Sequence, residues 1–203
     1  MALLRVTPSP APNQGNDAQL QTITASPGVA PWVAARVGIV GNNEGGVTYT
    51  GRALRVDARH AFDIGRLWAL SLGLGADAIV AQRPGQGIDG TSMYGGGFDV
   101  PMLVGLHLPS DLYALWFGPR AGVEFLTGRL ALNPSGGPVE LGDANGRQVY
   151  GGFVLGMRVG FRHVHAAIEL DGAYHRIDGV LGGVKSGFGQ FTLTPGGALT
   201  LTF

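Results

Sequence analysis

Gln190-Phe191-Thr192-Leu193-Thr194-Pro195-Gly196-Gly197-Ala198-Leu199-Thr200-Leu201-Thr202-Phe203 alternates from end to end. Phe191, Leu193, Leu199, Leu201 and Phe203 share one parity; Gln190, Thr192, Thr194, Thr200 and Thr202 share the other. A period of two marks a strand whose faces meet different surroundings. Apart from Gln190, the second face carries small residues, mostly threonine, not the Lys and Glu of a hydrated surface. That pairing suits a strand with lipid on one side and a polar lumen on the other.

The same period runs back to Gly28 and predicts eight strands. They are Pro31–Val40, Val47–His60, Leu67–Ala81, Gly97–Leu108, Leu112–Leu126, Val149–Phe161, Val164–His175 and the terminal stretch. Residues 1–27, rich in Pro, Asn, Gln and Ser, are expected to form a flexible periplasmic N-terminal arm or linker. Residues 28–203 are expected to form the barrel. The connections 41–46, 82–96, 127–148 and 176–188 are expected as the longer ones, on one side. Ser110-Asp111 and Arg162-His163 are expected as short turns on the other. Pro101, Pro119 and Pro195 fall inside these strands, which calls for bulges or earlier strand ends.

Composition agrees. Only 14% of the 203 residues are charged, Lys185 is the sole lysine, and the formal net charge is +0. Such a surface is under-charged for water, and its neutrality argues against a nucleic-acid partner. Thirty-six glycines exclude a helical bundle. With no cysteine there are no disulfides, thiolate metal sites or cysteine nucleophiles. No run of eighteen apolar residues offers a transmembrane helix.

Aromatics collect on the apolar face near strand ends. Trp68, Tyr113, Phe161 and Phe203 fall towards the short turns; Phe98, Phe125, Phe153, Tyr174 and Phe191 fall towards the long loops. Two such groups around an aliphatic band match the two interfaces of a bilayer. In strand number, loop asymmetry, aromatic belts and terminal Phe, the chain from Gly28 to Phe203 resembles the small bacterial outer-membrane β-barrels of the OmpA and OmpX transmembrane type. The resemblance implies an all-β, eight-stranded antiparallel up-and-down transmembrane barrel in the outer membrane of a Gram-negative envelope. It implies outer-membrane lipids as surroundings, a monomer, and recognition of Phe203 by the barrel assembly machinery.

The opposite face predicts an interior charge network of Arg36, Arg55, Asp57, Asp77, Arg120, Glu124, Arg158, Glu169 and Asp171. Turned outward, each Arg would cost about 2–4 kcal/mol at the bilayer midplane. Inside, the charges must pair to offset desolvation. Arg36 is expected to reach the Arg55–Asp57 region, and Arg158 to meet Glu169. The expected function is a non-enzymatic barrel with a salt-bridged, largely closed interior, presenting surface loops or supporting envelope organisation. The alternative is a narrow porin-like pore for ions or small solutes. A lipid-modifying barrel enzyme is weaker still. Ser71 has only His107 within prospective reach, and His163 and His165 flank a turn. No cofactor or metal is expected: the loop around Asp89 has one carboxylate, too few for a calcium site.

Overall fold

A computed structural model describes residues 2–4, 29–31, 33–50, 53–79, 92–108, 112–131, 141–161 and 163–201. Every regular element among them is a strand. Two short pieces, β1 (Ala2–Leu4) and β2 (Val29–Pro31), precede nine longer ones. These are β3 (Val33–Ile39), β4 (Asn43–Tyr49), β5 (Ala53–Asp63), β6 (Trp68–Ile79), β7 (Ser92–His107), β8 (Tyr113–Ala131), β9 (Leu141–Phe161), β10 (Val164–Leu181) and β11 (Val184–Leu201).

Strands β3 to β11 form one antiparallel up-and-down sheet in sequence order. β1 adds antiparallel to the outer edge of β11, and β2 adds antiparallel to β1. As hydrogen-bonded, the sheet is open: its order ends on β2 at one side and β3 at the other, with no ladder joining the two ends among the described residues. On the chain, however, β2 and β3 are separated by residue 32 alone.

The up-and-down order puts connections 40–42, 64–67, 108–112 and 162–163 at one end of the sheet, here the turn end. Connections 50–52, 80–91, 132–140 and 182–183 lie at the other, the loop end. Three expectations are corrected. The predicted strand Val47–His60 is two strands, β4 and β5. Thr50 closes the turn between them, with its N–H donating to the Ala53 carbonyl at 2.9 Å. The connection after the first long strand therefore lies at the turn end, not among the long loops. The predicted long connection 176–188 is instead a continuation of β10 and β11 to a tight turn at Gly182-Gly183. Both glycines have positive φ (56° and 81°), and Leu181 pairs with Val184.

The strands run straight through all three prolines. No extra residue enters at Pro101 or Pro119: the register is the same on both sides, and the ladder lapses instead. β6–β7 pairing skips Gly73–Leu74, and β7–β8 pairing skips Met102–Leu103 opposite Gly118–Pro119. Losing a few rungs there accommodates the missing N–H groups. Pro195 pairs in place with Leu170.

The two faces of the sheet differ in burial. Val33, Phe98, Phe161, Ile168 and Leu199 are exposed, while Arg55, Asp57 and Asp99 are buried. The described residues of 2–4 and 29–31 fall in the stretch expected as an arm and in its junction with the barrel; they join the sheet.

Candidate functional site

The buried face of the sheet holds a chain of ion pairs that crosses strands. Arg36 on β3 donates to Glu44 on β4 (2.8 Å) and Asp57 on β5 (2.6 Å). Arg55 on β5 forms an ion pair with Asp57 (Nη1 to Oδ1, 2.8 Å) and donates to Asp99 on β7 through Nε (2.8 Å) and Nη2 (3.0 Å). Arg59 lies 3.4 Å from Asp57. Arg120 on β8 takes the other side of Asp99 (3.1 Å) and reaches Asp171 on β10 at 3.5 Å. Asp57 and Asp99, with side chains 1% exposed, are the two hubs. Each buried carboxylate faces more than one guanidinium, which is what keeping a charge out of water requires.

Several of these contacts skip a strand, and the register explains how. One row of paired residues reads Arg36, Gly46, Asp57, Gly75, Asp99, Gly122, Tyr150, His175 and Gln190, from β3 to β11. Glycine alternates with a polar side chain from β3 to Tyr150. Each glycine leaves a trough over which a long side chain reaches the next strand but one. A Cβ at Gly75 would overlap Arg55 Nη2 and Asp99 Oδ1; one at Gly46 would come within 3.2 Å of Arg36. Nearer the turn end, Trp116 lies across Gly156 and donates Nε1–H to Glu169 Oε2 at 2.9 Å.

The network continues towards the loop end through aromatic and neutral groups. Tyr150 sits 6.0 Å from Arg120 and stacks on His175 at 5.4 Å. The His175 ring nitrogens meet Gln148 (2.6 Å) and Thr192 (2.9 Å). Beyond them, Leu126, Ala144, Ile177 and Leu181 are buried on the same inner face.

Of the nine predicted network residues, Arg36, Arg55, Asp57, Arg120 and Asp171 are joined by ion pairs. Asp77 and Glu124 share a row with Gly97 on the inner face, and both are engaged there. The expected Arg158–Glu169 pair does not form. Glu169 is held by Trp116, and Arg158 makes no ion pair among the described residues. Sequence reasoning placed Asp99 and Glu44 less prominently than the structure does. Asp99 is absent from the predicted network, because only the register shows two arginines converging on it. Glu44 was assigned to a turn. No hydrogen bond joins Ser71 to His107, and Ser71 instead pairs in register with Ala61 and Leu103. His165 is buried with neither ring nitrogen bonded among the described residues.

On the exposed face lie Trp68, Tyr113, Phe161, Phe98, Phe125, Phe153, Tyr174 and Phe191; Phe203 lies outside the described residues. Phe153 stacks on Phe117 at 6.3 Å. The site and fold define an all-β protein with a continuous up-and-down antiparallel sheet, apolar on its exposed face and charged on its buried one. Comparison with known proteins finds no matching family model, no matching curated protein and no matching solved structure.

Proposed function

We propose that this chain is an integral outer-membrane β-barrel, non-enzymatic, with an ion-paired and largely closed interior that carries its loops at the cell surface. The observation that carries the reading is the inverted burial: exposed aliphatic and aromatic side chains outside, arginines and carboxylates within. In water the exposed face would be an apolar patch far beyond what a monomer tolerates. In a bilayer it is the required surface.

The register supports closure into a barrel. One row runs Ala30, Leu3, Gly196, Glu169, Gly156, Trp116, Gly105, Ala69, Asp63. Extended by the β5–β4 and β4–β3 registers, it arrives at position 42, twelve residues beyond Ala30 (42 less 30) on the segment that carries both β2 and β3. If β2 and β3 are one strand, the sheet is a ring of ten with a stagger of twelve. At ~3.4 Å per residue and ~4.8 Å between strands, that ring tilts its strands by about 40°, inside the range closed barrels adopt. For ten strands at these spacings, staggers of about ten to fourteen fall in that range. The even count also lets β1 begin and β11 end at the turn end, the periplasmic side.

Dimensions agree as well. On β10 the outward residues from Val164 to Tyr174 are apolar or glycine, and Arg176 follows. Those ten steps span ~34 Å along the strand and, at about 40° of tilt, ~26 Å across the membrane, close to the ~25 Å apolar band of such barrels. Recognition of Phe203 by the assembly machinery rests on resemblance alone. The test is electrophoretic. A folded barrel in detergent migrates differently before and after boiling, whereas a protein that stays monomeric and soluble without amphiphile sinks the proposal. Planar-bilayer recordings separate the closed barrel, which is silent, from the narrow pore.

A further inference from the structure

Among the described strand residues, the outward-facing arginines and lysine are Arg129 on β8, Arg147 on β9, Arg176 on β10 and Lys185 on β11. All four stand on adjacent strands at the loop end: Arg129, Arg176 and Lys185 lie beyond the exposed rings of Phe125, Tyr174 and Phe191 on their own strands, and Arg147 lies level in register with Phe125. Every strand arginine nearer the turn end points inward. The placement is tight: Arg147 is paired in register with Phe125 on one side and Asp178 on the other, and Arg176 lies two residues along β10 from Asp178. Diagonal neighbours of that kind are about 7–8 Å apart. Lys185 pairs with Val180, one outward position above Asp178. Two carboxylates share the patch: Asp143, 3.5 Å from Arg129, and Asp178, 3.2 Å from Arg176. Arg147 and Lys185 have no ion pair among the described residues, so the patch keeps an excess of positive charge.

We propose that this patch binds a phosphate-bearing lipid headgroup of the leaflet at the loop end; the proposal rests on the membrane-barrel reading above. The aromatic rings fix the depth at which apolar chains end and headgroups begin. Arg147, level with Phe125, and Arg176, one outward position beyond Tyr174, meet an anion at that level. Arg147 and Arg176 present planar forks suited to phosphate oxygens, and Lys185 supplies a point charge beside them. Phe125, Tyr174 and Phe191 below supply the surface for the acyl chains. A free phosphate ion would gain only the upper half of this arrangement, so the lipid is the preferred ligand.

The full chain, folded in a non-ionic maltoside detergent, is titrated with short-chain phosphatidic acid, with phosphatidylcholine and with inorganic phosphate. Phosphatidic acid should bind most tightly. The Arg147→Gln/Arg176→Gln double variant should weaken it by about tenfold or more, since each cation near an anionic headgroup contributes on the order of a tenfold factor at most. Arg66→Gln, in the turn-end connection, should leave binding unchanged. Equal binding of phosphatidylcholine, equal binding of inorganic phosphate, an unaffected double variant, or an equal loss in Arg66→Gln would each overturn the proposal. The boiling-dependent gel shift is measured on every variant. If wild-type protein lacks it, the barrel reading has failed; if it is present and selective binding is absent, only the lipid site has failed.

Discussion

Replacing Asp99 by alanine tests whether the interior is dry. Asp99 accepts from Arg55 Nε and Nη2 and from Arg120 Nε, at 2.8, 3.0 and 3.1 Å, with its side chain 1% exposed. Without it, two guanidinium groups face each other across a gap. Arg55 keeps Asp57, and Arg120 keeps only the longer contact to Asp171. Removing one partner of a buried, multiply bonded ion pair costs about 3–5 kcal/mol, mostly because the remaining charge stays desolvated. In a water-filled lumen the same change costs roughly 0–1 kcal/mol, as for an exposed pair. The two interiors therefore differ by several-fold in one number.

Urea unfolding of the detergent-folded protein, followed by the boiling-dependent gel shift, gives that number. With a denaturant dependence of roughly 2–3 kcal/mol per molar, a dry interior shifts the midpoint down by about 1–2 M. A second variant guards against a trivial packing defect. Arg55→Met/Asp99→Leu/Arg120→Met removes all three charges and keeps similar volume, leaving Asp57 with Arg36 and Arg59. It should recover most of the loss, because a buried ion cluster is replaceable by apolar groups of like size. A midpoint unchanged in Asp99→Ala, or a triple variant no better than the single one, refutes uncompensated charge as the cause.

Gly156→Ala should cost about 1–3 kcal/mol, since its Cβ would enter the Trp116 indole that Glu169 holds, whereas Gly151→Ala, with nothing within 4 Å, should fall within about 0.5 kcal/mol of wild type in the same unfolding assay. Deleting Ala2–Leu4 should lower the heat-modifiable fraction, because β1 lies between β11 and β2 in the sheet; an unchanged fraction would mean that the ring does not close through it. Arg120→Ala should open a void between Asp99 and Asp171 while Arg55 still holds Asp99, so single-channel events should appear in planar bilayers where wild type shows none. Conductance in the wild type, altered only in selectivity by Arg120→Ala, would favour the pore instead.

The period of two was legible because each strand meets two different surroundings within the band. It failed where that contrast disappears. Outside the band, Arg176 and Asp178 on β10 face out with Ile177 buried between them, the reverse of the pattern below Tyr174. Polar residues facing out and apolar ones facing in then read as loop, although the backbone ladder continues to Leu181. Gly182-Gly183 was the available signal, a two-glycine hairpin turn. The split of β4 from β5 also had a signal. Val47 and Tyr49 are exposed at odd positions, Leu54 and Val56 at even ones. A change of parity within one predicted strand requires a turn or a bulge between, and Thr50–Ala53 supplies the turn. The network was legible as to face but not as to partner. A register cannot be read from one strand, and the skip-strand contacts Arg55–Asp99 and Trp116–Glu169 depend on two registers at once.

The strand count bears directly on that interior. A ring of ten with a stagger of twelve has a backbone radius of about 10 Å, against about 8 Å for eight strands at the same tilt. Inward-facing residues of ordinary size would leave the wider ring with a channel. This chain instead sets arginines, Trp116 and Tyr150 beside glycines, so that each long side chain lies across a neighbouring strand and ends on a carboxylate or ring further round the wall. Filling of this kind runs along the wall rather than straight across the lumen. It is stiff only while the charges pair, because glycine supplies no side chain to take over if an arginine swings away. In the proposed barrel, the same glycines that let the network form would therefore make its ion pairs the element that determines whether this part of the interior is shut.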